Sequence, residues 1–423
     1  MLPTTSSPND KWVNLLKWIS FALAAVYLAN CVSPLRFHID TNRYFAIKDC
    51  FEVGCAPDSV AAQDYLPYGY TFLLLGLSKA GILHSFTIIL INAIYLMAAL
   101  YFTARIFAGM FNKYLLFVLV LLNWTTIKFM VHPLSEMQYL FFSMAALYFF
   151  HRYANEKKIM PLLLAFACGA LAFFTRTVGV TLIAALVAGV MWEYRQQIIQ
   201  LLKRHKVILI ALAVLVVLVV TFSKFLGLDH YTGVLTKQFD EGAKVTRVFK
   251  WHLTEFTEIG LNTSIARLNT VFSSTTSSII FIGIGILYLA GYIYLLFIRR
   301  NNIPFVVKAY LLFYTLLMFN WPFYDPRFWV PVVPLFIALV CQVKLTTVTW
   351  RRLSYVLIIP YVISGLAAIG YMTYTSFDKK LMAKKQANGV FRNEYETYFF
   401  GKPLSDTATK TDAYLLDVLK RHN

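Results

Sequence analysis

Residues suited to chemistry are few in this chain, and they recur in short, distinctive contexts. They are Asp40, Asp64, His132, Glu136, Arg176, Tyr324, Asp325 and Arg327. A carboxylate such as Asp40, placed near a lipid boundary, can take a proton from a hydroxyl, a task that contributes about 10²–10⁴-fold to a rate. The same residue equally suits capping a helix that begins at Thr41. Asp64 precedes Tyr65-Leu66-Pro67-Tyr68-Gly69-Tyr70 and fits either hydroxyl binding or a solvated loop. Glu136 closes His132-Pro133-Leu134-Ser135-Glu136 and leads directly into an apolar run. There an ionisable group is costly, about 2.5–3.5 kcal/mol at a membrane helix centre and less near its end. Ser135 and Glu136 also suit a helix cap. Arg176, in Phe173-Phe174-Thr175-Arg176-Thr177, has no acidic neighbour in sequence. Its planar fork can clamp a phosphate, or its stem can snorkel to headgroups. Arg327 sits in a turn stiffened by Pro322 and Pro326, with Trp321 and Tyr324 beside it. It pairs with Asp325 or faces a phosphate.

The elements that must position these groups are apolar spans. Hydrophobic residues make up 59% of the 423 residues and charged ones only 14%, against about 45–50% and about 25% in soluble domains. A span needs about 20 apolar residues. Eleven candidates follow: Trp12–Cys31, Phe86–Ala108, Tyr114–Val131, Met137–Phe150, Ile159–Phe174, Val178–Trp192, Val207–Phe225, Ile279–Ile298, Pro304–Asn320, Phe328–Val343 and Tyr355–Thr373. Trp12–Cys31 follows a short polar tail without a clear cleavage site and reads as a retained span. Residues 162–192 are too long for one crossing, so Arg176 is expected at the tip of a tight hairpin.

Orientation follows from Lys and Arg in short loops. With the N-terminus in the cytoplasm, fifteen basic residues fall inside, while the three short outer turns hold only Arg176 and Arg327. Of the 21 acidic residues, only Asp10, Glu156 and Glu193 fall inside. The formal charge of +18 is therefore a topology signal, and no basic stripe on a soluble module argues for nucleic acid. All the candidate residues fall at outer helix ends. The expected organisation is one transmembrane unit over residues 1–374, with a first outer loop over 32–85, a second over 226–278, and an outer tail over 375–423. The first loop reads as two short amphipathic interfacial helices, and the tail as ending in a short helix against the outer face. Cys50 and Cys55 are placed to form a small disulfide in an oxidising compartment. Asn262-Thr263-Ser264 matches a glycosylation acceptor pattern, and Lys128 suits snorkelling or anion binding. No Walker loop, zinc-ligand spacing or nucleophile elbow is present.

Taken in order, these motifs resemble the GT-C superfamily of membrane glycosyltransferases. The branch most like this chain contains protein mannosyltransferases and the lipid A aminoarabinose transferase. The resemblance spans roughly residues 12–345: Asp40 in the first outer loop, Pro67-Tyr68-Gly69-Tyr70, Pro133-Leu134-Ser135-Glu136, Thr175-Arg176 followed by Gly179, and Arg327-Phe328 with Pro331 and Pro334 behind. It implies an all-α polytopic fold and a catalytic Asp40. It also implies donor-phosphate binding by Arg176 and Arg327, with substrate positioned by Asp64, His132, Glu136 and Tyr324. The implied donor is a sugar on a polyprenyl phosphate, and the acceptor is a lipid, glycan or protein hydroxyl. No cofactor is required, no metal site is assigned, and a divalent metal remains compatible. The expected location is a bacterial inner membrane in preference to the endoplasmic reticulum, with the site on the extracytoplasmic face. Asp40 is followed by Thr41 and Asn42 where many relatives carry adjacent acids. Only a short tail follows the last span, so acceptor recognition falls to the loops or to a partner. Rival readings are a transporter or lipid-linked glycan flippase, a polysaccharide polymerase or ligase with a diphosphate-linked donor, and a non-catalytic subunit on the same scaffold.

Overall fold

The computed structural model describes residues 8–197, 233, 236, 243–298, 302–343, 347–404 and 411–423. Among these the architecture is all-helical, without a strand. The helices are α1 (Pro8–Ala29), α2 (Ile39–Val53), α3 (Tyr68–Lys79), α4 (Ser85–Ile106), α5 (Lys113–Leu121), α6 (Trp124–Met130), α7 (Glu136–Glu156), α8 (Ile159–Thr175) and α9 (Gly179–Glu193). They continue as α10 (Ala243–Leu261), α11 (Ile265–Leu268), α12 (Ser274–Ile293) and α13 (Phe305–Phe319). A 3₁₀ stretch over Pro326–Val332 leads into α14 (Val333–Cys341), followed by α15 (Val348–Phe377), α16 (Lys379–Lys385), α17 (Arg392–Phe400) and α18 (Ala413–His422).

Among the described residues, four helical segments are long and apolar enough to cross a membrane: Lys11–Val32, Ser85–Ile106, Ser274–Phe297 and Ser354–Phe377. A fifth results if α5 and α6 form one span, and that pair is bent by 66°. The bend has a local cause in the middle of the expected span Tyr114–Val131. Asn123 stops α5 and caps α6, its side chain accepting from the Thr125 amide at 3.2 Å, while its amide donates to Tyr361 at 3.1 Å. Ile159–Thr175, Gly179–Glu193, Phe305–Phe319 and Pro326–Cys341 are apolar but shorter than the roughly 20 residues of a full crossing. The expected span Val207–Phe225 lies outside the described residues.

At the centre runs α7, packed against α4 and α8. It extends past the expected Met137–Phe150 in both directions and buries Glu136 at its head. The hairpin expected around Arg176 forms: α8 ends at Thr175 and α9 starts at Gly179. Glycine sets its tightness, because a Cβ on Gly179 would lie 2.5 Å from Phe173 Cα. The predicted first loop contributes α2 and α3, and the Cys50–Cys55 disulfide staples the last turn of α2 to the residues just after it. The tip of the α8–α9 hairpin rests on the start of α3, where a Cβ on Gly69 would lie 2.7 Å from the Phe174 carbonyl oxygen.

In the predicted second loop, the described residues 243–278 are largely helical, and α10 is buried on all sides from His252 to Ile259. The tail folds back over the first loop. The Phe37 amide donates to the Tyr395 hydroxyl at 2.7 Å, Arg421 and Tyr414 each reach Asp49 at 2.9 Å, and Leu415, Val418 and Leu419 of α18 are buried. Asn262 is not available as a glycan acceptor. It is fully buried, donates to the Leu122 and Tyr361 carbonyls at 2.8 Å each, and accepts from the Trp124 amide at 2.6 Å.

Candidate active site

The first turn of α2 presents Asp40. The cap is His38 rather than Asp40, with His38 Nδ1 accepting from the Asp40 amide at 3.4 Å. That leaves the Asp40 carboxylate free for other partners at a helix N-terminus, where negative charge is favoured. One turn later Arg43 donates to Asp40 Oδ1 at 3.2 Å and grips Asp64 with two bonds of 2.7 Å. The Arg43 guanidinium also stacks 4.5 Å above the Tyr65 ring.

Arg327 enters from the turn before α14. Its Nη2 donates to Asp40 Oδ2 at 2.5 Å, and its Nη1 lies 3.3 Å from His38 Nδ1. Its Nε lies 2.9 Å from Asp325 Oδ2 as an ion pair without hydrogen-bond geometry. Glu136 Oε1 stands 3.8 Å from Arg327 Nη1 and also accepts from Arg176. Arg176 reaches Ser135 as well, and Ser135 receives the Tyr44 hydroxyl at 2.9 Å. Burial pushes the Asp40 carboxyl up, but the charge and hydrogen bond of Arg327, reinforced by Arg43, outweigh it and hold the carboxyl below its ordinary value. His38 is held neutral, first by burial and then by Arg327, so with Nδ1 accepting, its Nε2–H points towards Asp325, 3.7 Å away.

These groups border a cavity of about 560 Å³. Asp40, Arg176, Tyr324 and Arg327 line it, and Leu317, Met318 and Phe323 give it an apolar side. Asp64 and Glu136 are not on its wall. They stand one step behind, orienting Arg43 and Arg176. His132 faces a neighbouring chamber, where its Nδ1 lies 2.7 Å from the Lys128 carbonyl and its Nε2 accepts from Gln386 at 2.9 Å. Tyr324 turns its hydroxyl away from the other site groups, donating to Glu258 at 2.9 Å.

Three residues that carry this arrangement escaped the sequence reading: His252, Glu255 and Glu258. Glu255 accepts from the Asp325 amide at 2.6 Å and from the Trp329 indole at 2.7 Å. His252 bridges Glu255 and the Trp321 carbonyl at 2.6 Å each. Both ring nitrogens face oxygen atoms. Together they fasten the turn that delivers Asp325 and Arg327. Burial, against hydrogen bonds from Ile265 and Tyr324, raises the Glu258 carboxyl to about 7. The available signal was the three-residue spacing of His252, Glu255 and Glu258 on one face of an amphipathic segment.

Among the described residues, no group of three His, Cys, Asp or Glu is arranged to hold a metal ion. No protein-family model matches the chain, and no curated protein or solved structure is detectably similar to it.

Proposed function

We propose that this protein is a membrane glycosyltransferase of the GT-C kind that moves one sugar from a polyprenyl phosphate to an acceptor hydroxyl. The observation that carries this reading is convergence. Asp40, Arg176 and the pair Tyr324 and Arg327, from three separated segments, line one cavity together with the apolar Leu317, Met318 and Phe323. In the proposed topology the chain crosses the membrane eleven times, with residues 1–374 as one unit and the cavity on the extracytoplasmic face. A bacterial inner membrane is the proposed setting.

In the proposed reaction the ionised Asp40 takes the proton of the acceptor hydroxyl. The freed oxygen forms a bond to the anomeric carbon from the face opposite the phosphate. The bond from that carbon to the phosphate oxygen breaks, and its electron pair leaves with the polyprenyl phosphate. Arg176 and Arg327 stabilise the charge that develops there. Their present partners, Glu136, Asp40 and Asp325, hold both guanidinium groups in place before substrate arrives, so little reorganisation is needed at the moment of reaction. Tyr324 lines the sugar end. Asp64, Glu136 and His132 act through the residues they touch. No metal or cofactor is needed for these steps.

The test is purified protein in lipid with a panel of polyprenyl-monophosphate sugars, followed by mass spectrometry. Wild type is expected to consume one donor and form a glycosylated product, while Asp40→Asn loses about 10²–10⁴-fold in turnover and keeps its donor affinity. Near-normal turnover in folded Asp40→Asn would remove Asp40 as the base. Flux driven by a gradient, with no covalent product from any donor, would replace the transferase reading with a transporter.

A further inference from the structure

A second chamber of about 420 Å³ meets the first at His38 and Ile39, which line both. Its electrostatics are of the opposite kind. Beside the first cavity, Arg43, Arg176 and Arg327 are matched by Asp40, Asp64, Asp325 and Glu136. The second chamber is lined by Arg36, Lys128, Arg267 and Lys385; among the described residues no carboxylate is on its wall, and Asp325 and Glu258 act on Lys128 from outside it.

Arg36 is the telling member. It is 3% exposed, and its hydrogen bonds all go to neutral groups: Ser33 at 2.9 Å, Ser376 at 3.1 Å, Thr375 at 3.2 Å and Gln386 at 3.4 Å. A buried charge without a counter-charge is costly, and proteins normally pair it. Here burial pulls the Arg36 guanidinium down to about 10, the response expected of a desolvated cation that has no anion. His132, on the same wall, adds no further positive charge. Burial, then the charge of Arg36, holds its imidazole neutral.

The wall is composite. Lys128 comes from α6, Arg267 from α11, and Lys385 and Gln386 from the tail. Ala368 and Met372 of α15, a helix apolar enough to cross a membrane, supply an apolar flank along which a hydrocarbon chain can lie. A cationic end beside an apolar flank suits a phosphoryl group carried on a lipid.

We propose that this chamber seats the phosphoryl group of a lipid-borne acceptor, which then extends its hydroxyl past His38 to Asp40. The assignment to the acceptor rests on the transferase reading above, because that reading places the donor phosphate at Arg176 and Arg327. The chamber itself does not depend on it. The tail thus takes a direct part in acceptor recognition.

Native mass spectrometry of the full chain in nanodiscs tests this, with dodecyl phosphate as probe, dodecyl maltoside as neutral control and inorganic phosphate as the free anion. Wild type is expected to bind dodecyl phosphate, to do so while also holding one polyprenyl monophosphate, and to bind the maltoside far less. Lys128→Gln combined with Lys385→Gln, which leaves buried Arg36 in place for folding, is expected to weaken dodecyl phosphate binding at this site tenfold or more, about 1.4 kcal/mol per factor of ten. Arg176→Gln is expected to weaken only the part of dodecyl phosphate binding that polyprenyl monophosphate competes away. Equal affinity in wild type and the double variant would overturn the site. Displacement of dodecyl phosphate by the polyprenyl monophosphate would overturn its assignment to the acceptor. Inorganic phosphate binding as tightly as the dodecyl ester would overturn the lipid-borne source. Binding that survives in a protein that transfers no sugar would refute the transferase reading and leave the chamber standing.

Discussion

Asp40 is kept ionised by Arg327 and Arg43, and the same contacts limit how basic it can be. A carboxylate so placed acts through position more than through a raised proton affinity, so geometry at Arg327 should matter as much as its charge. Arg327→Lys retains the charge but cannot reach Asp40, Asp325 and Glu136 together with one planar fork. It is expected to lower turnover at least tenfold while donor binding falls less, read as kcat and KM on the same preparation. Glu258 gives a pH signature. Its folded value of about 7 lies above the ordinary 4.5, so its protonated form is the one the fold favours. That contribution is complete below about 4.5 and is lost as pH rises through about 7. Wild type should therefore lose thermal stability across this window relative to Glu258→Gln. Parallel melting curves for the two proteins would remove Glu258 as the titrating group. Asp40 and Arg327 were legible as candidates because the polar groups of this apolar chain cluster at helix ends, whereas their meeting was not. Those of His252, Glu255 and Glu258 were not, since their meaning lies in the turn they hold, about seventy residues further along the chain.

Elements deliver these side chains through close approaches that tolerate little change. Arg176 stands at a hairpin tip whose closure depends on Gly179 and whose seat on α3 depends on Gly69. Gly179→Ala forces a methyl group against the Phe173 backbone and is expected to destabilise by about 1–3 kcal/mol. The hairpin should shift and weaken donor binding, measured by thermal unfolding together with donor titration. Gly76, with open space around its Cβ position, is the matched control on α3, where Ala should be neutral or slightly stabilising. The length of the apolar run 162–192, with Arg176 near its middle, marked the hairpin in advance. Nothing in the apolar run Tyr114–Val131 marked its break, because a single Asn inside an apolar stretch becomes a helix stop only when its side chain finds the Thr125 amide and Tyr361.

Across the whole molecule, the tail and the first outer loop form one packed layer. Asp49 joins them. Burial raises its carboxyl, but hydrogen bonds from Arg421 and Lys48 prevail and bring it to about 2. Its contribution is present above the ordinary 3.8 and fades as pH falls towards about 2. Leu419 is on the buried side of α18, and Leu419→Ala is expected to cost about 2–5 kcal/mol. Since the tail also walls the cationic chamber, that variant should make the tail sensitive to protease and weaken dodecyl phosphate binding together. Protease resistance with intact binding would show that the layer holds without this contact. Asn262→Ala, in contrast, should alter no glycan and should cost about 1–3 kcal/mol from the partners it leaves unsatisfied.

What the sequence by itself determined follows from local and additive physics. Apolar excess and the distribution of basic residues made a helical, membrane-suited protein legible. Isolated ionisable residues next to apolar runs picked out Asp40, Arg176 and Arg327, since such groups are costly to place without cause. The tertiary structure decided which charges meet. Arg327 reaches Asp40 across 287 positions of sequence and Gln386 reaches His132 across 254. It moved Asp64 and Glu136 behind the cavity wall, gave His132 to a second chamber, and left Arg36 buried without a carboxylate. Pairing, burial and the absence of a counter-charge are properties of neighbours in space, and helix periodicity specifies only neighbours three or four residues apart.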